Sequence, residues 1–242
     1  MEDSQHSPEL FLFLASTAHD MKNSISVLSG TLERLLDDAS PQTEKAYPQM
    51  AQMLYQTRRL NDNLMQLLAL YKQVGKPAYP FDMQPLEAGQ LVEQVAAAGR
   101  VLLASRGISL ELDVDPELVA HVDEDLIVGV VSHAVNNAVH YTRDRIRLTV
   151  RSAGGGMEAG IDAGIDAGIE IRVEDNGGGF PPALLAAGAA ASGVDFLTNS
   201  AGLGLYFAGE VARMHRHRGR SGAVRLENGG ALGGGCFILT LP

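Results

Sequence analysis

A chain of 242 residues exceeds one typical domain and fits two modest ones, and 45% apolar against 20% charged residues is enough to bury true cores. A formal charge of −10 repels a nucleic-acid backbone, and no broad basic stripe offsets it, so no nucleic-acid partner is expected. No run approaches the roughly 18–20 apolar residues that cross a bilayer, and the acidic opening Met1-Glu2-Asp3-Ser4 does not read as a signal peptide. The expected location is the cytoplasm, either as a soluble protein or as the cytoplasmic piece of a longer one.

Residues 8–37 carry a helical pattern, with Leu14, Met21, Ile25, Leu28, Leu32 and Leu35 recurring at spacings of three, four and seven. Gly30 is tolerable inside it at roughly 1 kcal/mol, and Asp37-Asp38-Ala39-Ser40-Pro41 reads as a stop and a turn. A second helical pattern covers 44–74, with Met50, Met53, Leu54, Leu60, Leu64, Leu67, Leu68 and Tyr71 as its stripe. Two such helices form an antiparallel hairpin that cannot cover its own apolar stripe. Pairing two copies into a four-helix bundle solves this, and a C2 homodimer is the simplest way to do so. Gly75-Lys76-Pro77-Ala78-Tyr79-Pro80 is the expected linker, giving domains 1–76 and 77–242.

Beyond it the pattern predicts helices over 87–105 and 123–141 and strands over 108–114, 144–151, 168–174, 222–227 and 234–241. That mixture predicts an α/β sandwich, an antiparallel-looking sheet with helices on one face, so the whole chain is α+β. Residues 156–169 repeat Gly-Ile-Asp-Ala and suit an extended hairpin loop; single Asp residues at this spacing are weak evidence for calcium. The basic run Arg213, Arg216, Arg218 and Arg220, with His215 and His217 between, reads as a solvated helix end and turn. Cys236, the single cysteine, precludes an intrachain disulfide and reads as a buried strand residue.

Three short segments carry chemistry. In Val173-Glu174-Asp175-Asn176-Gly177-Gly178-Gly179-Phe180 a strand runs into a carboxylate and three glycines. Glycines let backbone N–H groups approach a ligand, and the carboxylate can accept from an exocyclic amine such as that of adenine. Alone, this is equally a tight turn. Gly202-Leu203-Gly204-Leu205-Tyr206 opens an apolar stretch to Met214, and orphan N–H groups at a helix start bind phosphate, although Gly-x-Gly alone is weak. Asn137-Ala138-Val139-His140-Tyr141-Thr142 closes a helix, where an Asn carbonyl can hold a magnesium ion that also binds phosphates or simply belong to a polar face.

Together and in this order, these segments resemble the nucleotide-binding boxes of the histidine-kinase branch of the GHKL ATPases. The resemblance implies ATP and Mg2+ as cofactors, with Asn137 holding the metal, Tyr141 beside adenine, and Asp175, Gly177 and Gly179 as the first glycine box. Gly202 and Gly204 match the second, and 182–200 matches the ATP lid. Ala18-His19-Asp20-Met21-Lys22-Asn23, within the first helix, is similar to the family's H box. It implies that His19 accepts phosphate, that the adjacent Asp20 holds or deprotonates the imidazole, and that Asn23, one turn on, orients the water that dephosphorylates a response regulator.

Three positions depart from the family pattern. His133 stands where a second Asn is usual, Ser200 where a Gly usually opens the second glycine box, and His140 where a basic residue precedes the Tyr. His133 and His140 remain nucleotide-contact candidates, His140 as a cation only when protonated. The expected function is a histidine kinase that autophosphorylates His19 and passes the phosphoryl group to a response-regulator receiver domain, with a phosphatase activity in reverse. No sensor domain is visible, so the expected input is a membrane sensor region or a separate sensor protein outside this sequence, or none at all. The alternatives are an ATP-independent phosphotransfer or scaffold protein with a degenerate ATP-binding domain, and, less well supported, a GHKL chaperone or topoisomerase subunit.

Overall fold

The computed structural model describes residues 81–153, 168–187 and 200–242, and toward the N-terminus residues 21, 24, 25, 27–36, 46, 49, 50, 52–54, 56, 57 and 60. The chain divides into two compact units, Met1–Tyr79 and Pro80–Pro242. In the first, every described residue is helical, and residues 27–36 form one continuous run. Leu32, Leu36 and Leu54 are buried, whereas Met21, Val27, Leu28, Leu35, Met53 and Leu60 are exposed. His19, Asp20, Asn23 and the expected turn near 38–43 lie outside the described residues. No helix among the described residues is long and apolar enough to cross a membrane.

The second unit opens with β1 (Gln84–Glu87) and α1 (Ala88–Arg106). Leu91, Val92, Val95, Leu102 and Leu103 give α1 a buried stripe, and it ends where Gly107 turns left-handed at φ 65°. Strands β2 (Ser109–Val114) and β3 (Val119–Val122) lead to α2 (Glu124–Tyr141). Asp123 caps α2 by accepting the Leu126 N–H at 3.1 Å, and Glu124 and Asp125 complement the dipole in its first turn. Then follow β4 (Arg145–Ser152), β5 (Ile169–Asp175), the short α3 (Pro182–Ala187) and α4 (Ser200–Met214). The hairpin β6 (Arg216–His217) and β7 (Arg220–Ser221) precedes β8 (Ala223–Asn228) and β9 (Gly235–Leu241).

The main sheet has the order β2-β4-β5-β9-β8. Pairs β4–β5, β5–β9 and β9–β8 are antiparallel, but β2–β4 is parallel, Ser109 opposite Arg145. This corrects the antiparallel expectation. The chain inserts β3 and α2 between β2 and β4, and such a crossover returns the next strand in the same direction. The antiparallel pair β1–β3, Gln84 opposite Val122, was not expected, because four-residue strands are too short to show alternation.

Ile146, Leu148 and Val150 of β4, Ile169, Ile171 and Val173 of β5, and Leu239 and Leu241 of β9 are buried on one face, which the helices cover. The opposite face carries cross-strand ion pairs, Arg147–Glu111 at 2.8 Å and Arg151–Asp113 at 2.6 Å. Cys236 on β9 is free and 1% exposed, and burial pushes its thiol up to about 12. The basic run needs one correction: Arg213, Arg216, His217, Arg218 and Arg220 are exposed, but His215 is completely buried. It ends α4 against the core rather than in solvent, with Phe81 edge-on at a ring-centroid distance of 4.9 Å.

Candidate nucleotide site

The site forms where β5 ends. Asp175 is the last residue of that strand and is buried. Its Oδ1 accepts the N–H groups of Gly177 at 2.7 Å and Gly235 at 3.3 Å, while its backbone carbonyl accepts the Gly234 N–H at 3.0 Å. Among the described residues, Oδ2 accepts no hydrogen bond and so keeps acceptor capacity. Glu174, one residue earlier, points to the opposite face and accepts the Ala231 N–H at 2.9 Å. The β8–β9 loop is thus stitched to two successive carboxylates.

Gly177 rests on the end of α2. A Cβ there would collide with the Tyr141 carbonyl oxygen, which as backbone cannot yield. This contact joins the first glycine box to the helix that bears Asn137 and Tyr141. Gly179 adopts φ 77°, and the Asn228 side chain clamps the next residue. Phe180 N–H donates to Asn228 Oδ1 at 2.7 Å, and Asn228 Nδ2 donates to the Phe180 carbonyl at 2.9 Å.

Along α2, His133, Asn137 and Tyr141 recur every fourth residue and so share one helical stripe. Asn137 and His133 are half-buried, whereas Tyr141 is 64% exposed, its ring edge-on to His140 at 6.4 Å. Gly202 and Gly204 lie within α4, which begins at Ser200, rather than ahead of the helix. Gly204 has a packing reason: the His133 imidazole occupies the space its side chain would need. The structure therefore brings Asp175, Gly177 and Tyr141 together, and separately His133 and Gly204. Of the expected lid, α3 is described, and 188–199 lie outside the described residues.

Sequence reasoning missed Asn176 and Asn228. Asn176 Oδ1 receives the Thr142 hydroxyl at 2.8 Å and the N–H groups of Arg143, Asp144 and Arg145 at 3.1–3.2 Å. An Asn next to glycine signals a turn, but partners more than 30 positions away in sequence carry no local sign.

A sheet covered by helices on one face, with a cradled carboxylate at the end of a central strand beside a helix C-terminus, defines an α/β ATP-binding domain of the GHKL type. The profile of the histidine kinase-, DNA gyrase B- and HSP90-like ATPases matches residues 122–242, and the chain belongs to that family. It is 31% identical over 142 residues to the phosphate regulon sensor protein PhoR of Pseudomonas aeruginosa, covering 57% of this chain and 31% of that one. To the sensor-like histidine kinase SenX3 of Mycolicibacterium smegmatis it is 25% identical over 149 residues, covering 60% and 38%. The chain thus spans less than two fifths of the length of either relative. Among solved structures, full-length ShkA in complex with AMPPNP shares the fold with a TM-score of 0.57 at 22% identity, over 98% of this chain and 46% of that one. The Acinetobacter baumannii histidine kinase AdeS does so with a TM-score of 0.53 at 17% identity, over 92% and 96%.

Proposed function

We propose that the chain is the catalytic part of a sensor histidine kinase. Residues 77–242 bind ATP, and residues 1–76 form the helical hairpin that dimerises and presents His19. An imidazole nitrogen of His19 attacks the γ-phosphorus, the bond to the β-phosphate oxygen breaks, and ADP leaves. The phosphoryl group then passes to an aspartate of a response-regulator receiver domain; Asp20 holds or deprotonates the imidazole, and Asp20 and Asn23 support dephosphorylation of the regulator by water. Such transfer depends on positioning and charge neutralisation rather than covalent help from the protein.

The observation that carries this reading is Asp175, buried at a strand end and held by two N–H groups on Oδ1 while Oδ2 keeps acceptor capacity, in a chain of this ATPase family. Tyr141 lies beside the base, and His133, His140, Gly177, Gly179, Gly202 and Gly204 line the nucleotide. Asn137 would hold magnesium, which when bound neutralises phosphate charge. The exposed Met21, Val27, Leu28, Leu35, Met53 and Leu60 support a homodimer, since a second hairpin would cover them. The chain works in the cytoplasm, under a sensor region or sensor protein.

Calorimetric titration with magnesium and ATP, with Asp175→Ala alongside, tests the nucleotide site, and labelling of His19→Ala by ATP tests the acceptor. Binding removed by the first variant and labelling removed by the second are expected. Failure of the wild-type protein to bind millimolar ATP would instead favour an ATP-independent phosphotransfer scaffold. His133 packed at Gly204, where the family has Asn, is the observation on that side.

A further inference from the structure

We infer that Asn176 is a positioning residue that sets the nucleotide site through Asp144; this rests on the ATP-binding reading above. Both ends of the Asn176 amide are engaged by protein groups. Oδ1 accepts four donors, the Thr142 hydroxyl at 2.8 Å and the N–H groups of Arg143, Asp144 and Arg145 at 3.1, 3.2 and 3.2 Å. Nδ2 donates to Asp144 Oδ1 at 2.7 Å, and the Asn176 N–H reaches the Arg145 carbonyl at 3.3 Å.

Three consecutive N–H groups and a hydroxyl converging on one oxygen form a nest, a geometry that favours negative charge. A neutral amide fills it because the residue must also donate: its other end faces a carboxylate. The turn it holds follows Tyr141 directly, and its chain neighbours are Asp175 and Gly177, the latter against the Tyr141 carbonyl. Asn176 therefore fixes the distance between the carboxylate at the end of β5 and the α2 end carrying Tyr141 and Asn137.

The chemistry of the pair yields a test that separates positioning from bulk stability. Asn176→Asp keeps an acceptor in the nest but sets two carboxylates against each other. Asn176→Asp combined with Asp144→Asn exchanges the amide and the carboxylate and restores the donor between them. On the full chain, ATP affinity by calorimetry and the melting temperature are measured for the wild type, both single variants and the exchange. Asn176→Asp is expected to weaken ATP about tenfold or more, and the exchange to recover affinity to within about threefold of the wild type as a coupled pair should. The inference is overturned if Asn176→Asp binds ATP like the wild type, or if the exchange restores the melting temperature but not the affinity. A wild type that binds no ATP overturns the ATP-binding reading itself and the inference with it, whereas a wild type that binds ATP alongside an indifferent Asn176→Asp overturns the positioning role alone.

Discussion

The imidazole of His215 accepts the backbone N–H of Asp123 at Nε2, 3.0 Å away, while its Nδ1 lies 2.8 Å from the Val211 carbonyl. An accepting Nε2 and a carbonyl at Nδ1 fix the neutral tautomer with the proton on Nδ1. Asp123 in turn caps α2 through Oδ1 and receives the Asp82 N–H on Oδ2 at 3.2 Å. The end of α4, the start of α2 and the first residues after the linker are thereby joined at one buried point.

That point makes stability depend on pH. Burial pushes the His215 pKa below its ordinary 6.5, against smaller opposing effects of the Val211 carbonyl and Asp123. Above pH 6.5 neither the folded nor the unfolded chain protonates this histidine, and its contribution is complete. Below it the unfolded chain takes up a proton that the folded one refuses, so stability falls as pH drops from 6.5 toward the depressed folded value. Urea unfolding between pH 8 and 5 should show this slope, and His215→Leu should lose it while being less stable by about 1–3 kcal/mol at pH 8, because the Asp123 N–H is left without an acceptor.

The His133–Gly204 contact predicts strong coupling between the two positions. Gly204→Ala places a methyl group on the imidazole and should destabilise by about 1–3 kcal/mol, as overpacking does. His133→Ala should relieve most of that loss, so the double variant melts above the sum of the two single effects. Additive losses in a thermal double-mutant cycle would contradict the packing.

Asp175→Asn separates recognition from folding. The amide keeps an oxygen for the Gly177 and Gly235 N–H groups, so the melting temperature should stay close to that of the wild type. ATP affinity should drop tenfold or more, about 1.4 kcal/mol, because an amide nitrogen at the second position donates where a carboxylate accepts. Calorimetry alongside thermal denaturation checks both halves.

Cys236 should be silent toward thiol reagents. At 1% exposure, with its thiol pushed up to about 12 by burial, it offers neither access nor thiolate at neutral pH. Titration with an aromatic disulfide should find no reactive thiol in the native protein and one after denaturation; fast native labelling would show that β9 opens.

Local patterns were enough to read most of the second unit. Long amphipathic runs such as Leu126 to Val139 and alternating ones such as Ile146, Leu148 and Val150 reveal the period of the element in the order of the residues themselves. The Asp175, Gly177, Gly179 and Asn137 boxes were legible for the same reason, being contiguous segments with a family resemblance. Partners distant in sequence were not. The parallel pairing of β2 with β4 depends on the route of a crossover. His215 looked like one more member of an exposed basic run, and only the packing of α4 buries it against Asp123 and Phe81. Asn176 lay inside a glycine-rich turn and Asn228 between two expected strands, and their work appears only when positions 142–145 and 180 are brought to them. Sequence by itself determined which elements form and which segments resemble nucleotide boxes, because periodicity and local motifs are properties of neighbouring residues. The tertiary structure decided which polar groups hold that site in place, because a hydrogen bond depends on distance in space.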